Sequence, residues 1–456
     1  MTPSRRGRTG GSTAAKIVLA VATAASGIIA VPVAEGATAE CPAGPGAGRS
    51  ASRVASDPDR APGSWGAQLS GDGRFVAFIS YDDKLVAGDD DQQADVFRAD
   101  RATGEIVGVS LDTDGSDFQG HAAKASISAD GSRVAFSSLS QVYVRDIGAD
   151  HTVRVSATGS GAPADDWSGA PVLRPDGRFV AFTSRATNLV ASDRSGESLE
   201  AYLRDLSRGT TERISIGPGG LSASTWSWAG AVSDGGRDVA FTAGAAGGSL
   251  GADDTYPGAD VFVRDREAQI TEEVSVGPDG RTMGGWFLGM SADGSKVLFG
   301  SGPQPDSKPA VYIRDRVART TRFVAPLVIT WGRRTGPTPA PLAFVGQRAG
   351  RPATLSADGH LAAIQTALPT GPEDANAADD ILLVETDTGT WQPATRSSAG
   401  CPGNGASGEP ALSRDGSVVG FTSEADDIVG PDNHRATNVY VREMIGRRTE
   451  RIGTTP

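Results

Sequence analysis

The sequence has 456 residues, of which 60 are glycine and 27 are proline, and its formal net charge is −12. These frequent chain-reversing residues, together with only 6% aromatic residues, favour many short strands over long helices. The acidic balance argues against nucleic acid and anionic membranes as partners, and it favours a cation or a basic partner.

Residues 1–39 have the pattern of a secretory signal peptide. A basic start that includes Arg5 and Arg6 is followed by an apolar run from Ile17 to Val33 and by small residues up to Ala39. We predict cleavage after Ala39 and a secreted or extracytoplasmic protein with no membrane span after cleavage. A membrane anchor is the alternative, but the apolar run is short for a span and contains serine, glycine and proline.

A ten-residue phrase with a central turn occurs seven times along the chain. The copies are LSGDGRFVAF (69–78), ISADGSRVAF (127–136), LRPDGRFVAF (173–182), VSDGGRDVAF (232–241), MSADGSKVLF (290–299), LSADGHLAAI (355–364) and LSRDGSVVGF (412–421). Each copy predicts a strand, a tight turn and a second strand, and patterns typical of a third and a fourth strand follow it. Four strands repeated seven times predict an all-β fold, a seven-bladed β-propeller with four antiparallel strands per blade, because radial packing buries the sheet faces.

These repeats resemble the TolB-like β-propeller repeats, also described as WD-repeat-like, of exported bacterial proteins. The resemblance covers roughly residues 52–456 and implies the propeller fold. It does not imply a function, since propellers carry many unrelated functions. The stretch between residues 40 and 52 is too short for the N-terminal α/β domain of TolB, so the envelope role of TolB is not implied either.

The predicted organisation has three parts. Residues 1–39 are the signal peptide, 40–62 are an N-terminal segment, and 63–456 are the propeller, with an insert at 327–349 between blades five and six. Residues 52–56 and 449–452 both have the pattern of a fourth strand, so either end of the chain can supply the strand that closes the ring. The two cysteines, Cys41 and Cys401, predict a disulfide near that seam in an oxidising compartment, and two free thiols are the alternative.

Tryptophans precede the innermost strand at repeated offsets. Trp65, Trp228 and Trp286 lie eight residues before the repeat glycine, and Trp167 and Trp226 lie ten residues before it. In a propeller, the loops before strand one and the loops between strands two and three lie on the same face, which we call the mouth. We predict that these indole rings stack on a sugar ring or a peptide side chain, which gives a ligand site at Trp65, Trp167, Trp228 and Trp286. The alternative is that the rings only pack between blades.

The loops between strands two and three are acidic. The pattern D-x-[DN]-x-x-x-D occurs in blade one as Asp89, Asp91 and Asp95, and in blade six as Asp374, Asn376 and Asp380. Oxygen-bearing side chains at alternate positions resemble the first half of a calcium loop, so both sets are candidate calcium ligands. The glycine and the glutamate of a complete loop are absent, and the alternative is that these residues cap turns.

Together these features predict an exported, monomeric, non-catalytic binding module that recognises a protein, peptide or glycan at the mouth. No cofactor is required, and calcium is an optional ligand. The alternative is a propeller-type polysaccharide hydrolase or lyase that uses rim carboxylates facing one another at about 5 to 10 Å. No pair of acids stands out, so no catalytic residue is assigned. A third interpretation is a scaffold that binds through blade edges or through the insert.

Overall fold

The structure is a computed structural model that describes Cys41 and residues 63–453, apart from 90, 119, 192–197, 218–219, 221–225, 245–249, 251–257, 302–308, 328–350, 375, 377 and 431–435. The predicted signal peptide, residues 52–56 and nearly all of the insert lie outside the described residues, so those boundaries stay predictions. In the part of the chain that is described, no helix is long and apolar enough to cross a membrane.

The described residues form 28 strands in seven four-stranded sheets, and each sheet consists of four consecutive strands. Blade one contains β1 (Ser64–Leu69), β2 (Phe75–Ser80), β3 (Asp95–Asp100) and β4 (Ile106–Gly108). Blade two contains β5 (Ala123–Ile127), β6 (Arg133–Ser138), β7 (Gln141–Asp146) and β8 (His151–Arg154). Blade three contains β9 (Ser168–Leu173), β10 (Phe179–Ser184), β11 (Glu200–Asp205) and β12 (Thr210–Arg213). Blade four contains β13 (Ser227–Val232), β14 (Asp238–Gly244), β15 (Ala259–Asp265) and β16 (Ile270–Glu273).

The remaining three blades have the same order. Blade five contains β17 (Trp286–Met290), β18 (Lys296–Ser301), β19 (Ala310–Asp315) and β20 (Thr320–Pro326). Blade six contains β21 (Ala353–Leu355), β22 (Leu361–Thr366), β23 (Asp380–Glu385) and β24 (Trp391–Pro393). Blade seven contains β25 (Ser407–Leu412), β26 (Val418–Ser423), β27 (Asn438–Glu443) and β28 (Arg448–Ile452). Neighbouring strands are antiparallel, as in β25 with β26 and β26 with β27, so the predicted seven-bladed propeller is confirmed.

The repeated phrase forms the hairpin between the first two strands of each blade. In blade one, the Ser70 hydroxyl accepts the Phe75 N–H, while Asp72 accepts the Ser70 hydroxyl and the Arg74 N–H. The same three bonds recur in blades two, five, six and seven. The repeat glycine has a φ of 67° to 75° in all seven blades, a conformation that favours glycine. The phrase therefore specifies a turn.

Blade seven contacts blade one in the same way as the other blades contact their neighbours. Two residues before the repeat glycine, the backbone N–H donates to the carbonyl oxygen at the same position of the next blade. At N···O distances of 2.7–2.8 Å, these bonds join Gly71 to Ala129, Ala129 to Pro175, Asp234 to Ala292, Ala292 to Ala357, Ala357 to Arg414, and Arg414 to Gly71. Blade three cannot donate the corresponding bond to blade four, because Pro175 has no N–H. The ring is therefore closed.

The hydrophobic core lies between neighbouring blades. At the seam between blades one and seven, Val76 and Phe78 pack in one cluster with Val418, Val439 and Ile452. The phenylalanine of strand two is fully buried in six blades, at Phe78, Phe136, Phe182, Phe241, Phe299 and Phe421. These contacts hold the inner strands in fixed positions around the channel.

The disulfide predicted between Cys41 and Cys401 is present, with the two Cα atoms 5.6 Å apart. It attaches residue 41 to the segment between β24 and β25, at the boundary of blades six and seven. Strand β28 pairs with β27 along its length, so the C-terminal strand completes blade seven.

Candidate functional site

The innermost strands surround a central cavity of about 370 Å³, a volume typical of sites that bind small molecules or the end of a larger ligand. Residues from all seven blades line it. Four tryptophans are among them, Trp65, Trp226, Trp228 and Trp286, and each of these side chains is half-buried. Part of each ring therefore remains free to contact a ligand.

The tryptophans are positioned by packing against aromatic neighbours and backbone. The ring centroids of Trp65 and Tyr81 are 5.2 Å apart. Trp286 packs closely over Gly300, where an added Cβ would lie 2.7 Å from the indole. Trp167 is not part of the cavity wall but packs edge-on against Trp228 at 5.9 Å. Three of the four tryptophans predicted to bind a ligand thus line the cavity, and the fourth supports one of them.

Arg351 occupies in blade six the position that tryptophan occupies in blades one, four and five, eight residues before the repeat glycine. Its guanidinium lies 4.8 Å from the centre of the Phe287 ring and donates a 2.7 Å hydrogen bond to the Gly230 carbonyl. Burial lowers the pKa of Arg351 to about 10, which leaves the side chain cationic at neutral pH. It forms no ion pair with any carboxylate that the structure describes.

One residue further along each inner strand, blades two and seven contribute charged side chains to the wall, Lys124 and Glu409. One oxygen of Glu409, Oε2, accepts the Gly66 N–H and the Thr422 hydroxyl, both at 3.0 Å. Lys124 makes no hydrogen bond or ion pair with another described residue. Burial lowers the pKa of Lys124, and the negative charge of Glu409 partly opposes this shift.

The backbone directs these two side chains into the channel. Lys124 and Glu409 have φ values of 53° and 54°, and Gly66 and Ala170 have φ values of 72° and 52° at the equivalent position. A β-bulge lies at this position in all four blades. Bulges re-aim side chains, and a positive φ at a residue other than glycine costs about 1 kcal/mol or more. The fold therefore holds Lys124 in an unfavourable conformation that points its ammonium at the cavity.

An ion pair crosses the channel at the end opposite the mouth. Arg414 of blade seven lies 3.2 Å from Asp234 of blade four, measured from Nη1 to Oδ1. Both residues lie two before the repeat glycine, in blades that are not neighbours. The pair therefore spans the ring at the hairpin end.

The loop of blade one brings its three predicted ligands together. One carboxylate oxygen from each of Asp89, Asp91 and Asp95 lies within 4.8 Å of the others. Calcium ligands at 2.3–2.6 Å from the ion lie at most about 5 Å apart, so the spacing fits. Asp95 is 5% exposed, and its Oδ2 has no hydrogen-bond partner. Burial and the nearby carboxylates raise the pKa of Asp89 to about 6. The spacing of the three carboxylates is one that can hold a metal ion.

The loop of blade six has the same sequence pattern but a different arrangement. Asn376 is turned away, since its Nδ2 donates to the Gly403 carbonyl at 2.6 Å and its Oδ1 accepts the Ala378 N–H at 2.8 Å. Asp380 is 1% exposed, and burial together with the Asp374 carboxylate raises its pKa to about 7. Asp380 therefore holds its proton to a higher pH than an ordinary carboxyl does, and Asn376 caps a turn.

Comparisons with known proteins bear on the fold. The sequence matches no known protein family and no curated protein. Among solved structures, TolB from Acinetobacter baumannii matches at 14% identity over 73% of this chain and 63% of TolB, with a TM-score of 0.39. The β-propeller fold that the TolB-like repeats implied is confirmed by the seven four-stranded sheets themselves. A manganese complex of an oligogalacturonate lyase matches at 12% identity over 83% of this chain and 90% of the lyase, with a TM-score of 0.51.

A prolyl endopeptidase matches at 10% identity over 86% of this chain, with a TM-score of 0.53. The match covers 50% of the endopeptidase and, as given above, 63% of TolB, so the chain spans about half to two thirds of the length of these two proteins. At these identities the likeness concerns the fold alone.

Proposed function

We propose that this chain is an exported binding module that takes a protein, peptide or glycan ligand into the mouth of the TolB-like propeller channel. The observation that carries the proposal is the cavity of about 370 Å³, into which indole rings from three blades project. Binding sites commonly combine aromatic walls with a small number of polar groups, and here Arg351, Lys124 and Glu409 supply the charges.

The inner strands add a second means of recognition. Each inner strand pairs with only one neighbour in its blade, so its other edge faces the channel. Backbone groups on such an edge can form hydrogen bonds to a ligand. The side chains of Gln68, Ser126 and Thr354 also line the cavity and can donate or accept hydrogen bonds.

Export is supported by the signal-peptide pattern of residues 1–39 and by the disulfide between Cys41 and Cys401. Disulfides form and persist in oxidising compartments outside the cytoplasm. Within this proposal the protein is secreted or extracytoplasmic and monomeric.

A calcium ion bound by Asp89, Asp91 and Asp95 is the second element of the proposal. Three carboxylates that converge without a neutralising cation repel one another, and the raised pKa of Asp89 reflects this repulsion together with burial. Hard oxygen ligands at this spacing suit calcium. The ion would stabilise the loop at the mouth, whereas the blade-six loop, with Asn376 turned away, is not proposed as a site.

The alternative of a polysaccharide hydrolase or lyase requires acids that face one another across the channel. Glu409 is the single acid among the described residues of the cavity wall, and one of its oxygens is occupied by Gly66 and Thr422. The described part of the wall thus does not favour this alternative over binding.

Arrays of peptides and glycans, probed with the wild type and two tryptophan variants, test the proposal. Trp286 and Trp391 pack against the same hydrophobic cluster, but Trp286 lines the channel whereas Trp391 lies in the outer strand β24. We expect Trp286→Ala to weaken array binding by about tenfold or more, as loss of an aromatic contact does. Trp391→Ala should bind as the wild type does. Equal binding by both variants would show that the channel is not the ligand-binding site.

A further inference from the structure

The channel wall contains more positive than negative charge, although the chain as a whole is strongly acidic. Lys124 and Arg351 face the cavity with one acid, Glu409, whereas the chain carries a net charge of −12. Glu409 is bonded to Gly66 and Thr422 rather than to either cation. Among the described residues, neither cation forms a hydrogen bond or a salt bridge with a carboxylate, although Glu409 lies near enough for its charge to act on Lys124.

An ammonium or guanidinium removed from water is costly to a protein unless an anion or several hydrogen bonds compensate it. Arg351 is partly compensated by the Gly230 carbonyl and the face of Phe287. Lys124 makes no hydrogen bond to another described residue, the charge of Glu409 compensates its ammonium only in part, and its positive φ adds backbone strain. Two cations that form no salt bridge with a described carboxylate, in a wall lined with aromatic rings, indicate a site for an anionic group.

We propose that Lys124 and Arg351 bind the free C-terminal carboxylate of a peptide or protein, while its last side chain packs against the channel tryptophans. This inference rests on the proposed function and specifies its ligand. The three donors of the ammonium and the planar guanidinium suit the two oxygens of one carboxylate. The unpaired edges of the inner strands can bind the peptide backbone behind it.

The distribution of acids around the mouth favours a single carboxylate over a polyanion. Exposed or half-exposed acids lie in loops of the mouth face, in blade one at Asp89 and Asp91, before β9 at Asp165 and Asp166, and before β27 at Asp426. An acidic oligosaccharide carries a charge on every residue, so this rim would repel all but the one that is bound. In a peptide with one terminal carboxylate, the carboxylate is attracted by the cations of the channel wall. Its preceding residues, if neutral or basic, are not repelled by the acidic loops at the mouth.

The test compares two pools of tetrapeptides that differ only at the C-terminus. Both pools are degenerate at the first three positions and end in Phe, Tyr, Leu or Trp, and one pool carries the free acid whereas the other carries the amide. Retention by the full exported chain is measured by affinity selection and mass spectrometry. Digalacturonate serves as an acidic sugar probe in the same assay.

We expect the wild type to retain the acid pool about tenfold or more over the amide pool, as a charge-assisted hydrogen bond implies. Lys124→Met and Arg351→Met should each lose this preference. Lys84→Met removes an exposed cation from the mouth loop of blade one and should keep it. The comparison of the acid and amide pools on the wild type decides the question even if one variant does not fold.

Three other results overturn the inference. Equal retention of both pools would show binding without a carboxylate site, which leaves the proposed function intact. Retention of digalacturonate or of neutral glycans, with no peptide retained, would assign the channel to sugars and also leave the binding module intact. If neither these probes nor any glycan or peptide on the arrays is retained, the inference and the proposed function fail together.

Discussion

At the hairpin end of the channel most blades repeat the same serine, aspartate and glycine, whereas at the mouth equivalent positions hold tryptophan, arginine, lysine or glutamate. The repeated residues make the same hydrogen bonds in blade after blade. The residues that vary line the cavity, where Lys124 forms no hydrogen bond or salt bridge with another described residue. In a repeat protein, therefore, positions that recur maintain the fold, and equivalent positions that differ identify the surface with a separate role.

The largest expected effect is at the hairpin end. A Cβ at Gly131, whose φ is 70°, would overlap the Phe75 ring of the neighbouring blade. We expect Gly131→Ala to lower the free energy of unfolding by about 3 kcal/mol, the sum of backbone strain and overpacking. Gly115→Ala is the control, since Gly115 has a φ of 83° and open space around it, and it should cost about 1 kcal/mol. Equal costs in thermal unfolding would show that the hairpin contact between blades is unimportant.

Because of Asp380 in the mouth loop of blade six, we expect the stability of the fold to depend on pH. The pKa of Asp380 is raised in the folded state to about 7 from 3.8, so the folded protein holds this proton more tightly than the unfolded chain. This group therefore stabilises the fold most below about pH 4, and the stability falls as the pH rises towards 7.

Between pH 5 and pH 8, the unfolding midpoint of the wild type should fall by about 2 °C more than that of Asp380→Asn. Replacement of the exposed Asp279 by asparagine should leave the wild-type profile unchanged. Parallel profiles for the wild type and Asp380→Asn would contradict the raised pKa of Asp380.

The mouth loop of blade one predicts a response to calcium that blade six lacks. A ligand at ten times its Kd stabilises the folded state by about 1.4 kcal/mol, so calcium should raise the unfolding midpoint and chelation should reverse the change. Asp91→Asn should abolish most of the response, because it removes one of three converging carboxylates. Asp374→Asn should retain the response. A wild type indifferent to calcium would reject the site.

Substitution of Lys124 has the smallest expected effect on stability, and this effect is a stabilisation rather than the usual destabilisation. Because its φ is 53° and its side chain makes no hydrogen bond or salt bridge with another described residue, Lys124→Gly should raise the free energy of unfolding by about 1 kcal/mol. Ala125→Gly, at the next residue of the same strand, should lower it by a similar amount. Destabilisation by both substitutions would show that Lys124 is a structural residue rather than one kept for a ligand.

The fold could be predicted because its signals are local and repeated. The Asp-Gly turns and the alternating strands occur seven times, so no single copy had to be decisive. The tryptophan offset also placed Trp65, Trp228 and Trp286 in the channel wall. The same offset leads to Arg351, but this residue is not aromatic and follows an arginine-rich insert, so the tryptophan pattern does not predict it.

Other parts of the site depend on contacts that the sequence does not show. The channel-facing position of Lys124 depends on a β-bulge, which breaks the alternation expected for a strand. The Asp89 and Asp374 loops share a pattern, but Asn376 is turned away by the Gly403 carbonyl of the loop after β24. A shared motif therefore predicted where the acids lie, but not which of them converge.

Hydroxyl-radical footprinting of the tryptophans tests most directly the claim that the channel mouth is the ligand site. The oxidation rate of each indole is measured by mass spectrometry, with and without the peptide or glycan probe that the arrays select. The account predicts that Trp65, Trp228 and Trp286 are protected by the probe, while Trp391 in β24 is oxidised at an unchanged rate. Protection of Trp391 with none at the three channel tryptophans would contradict it.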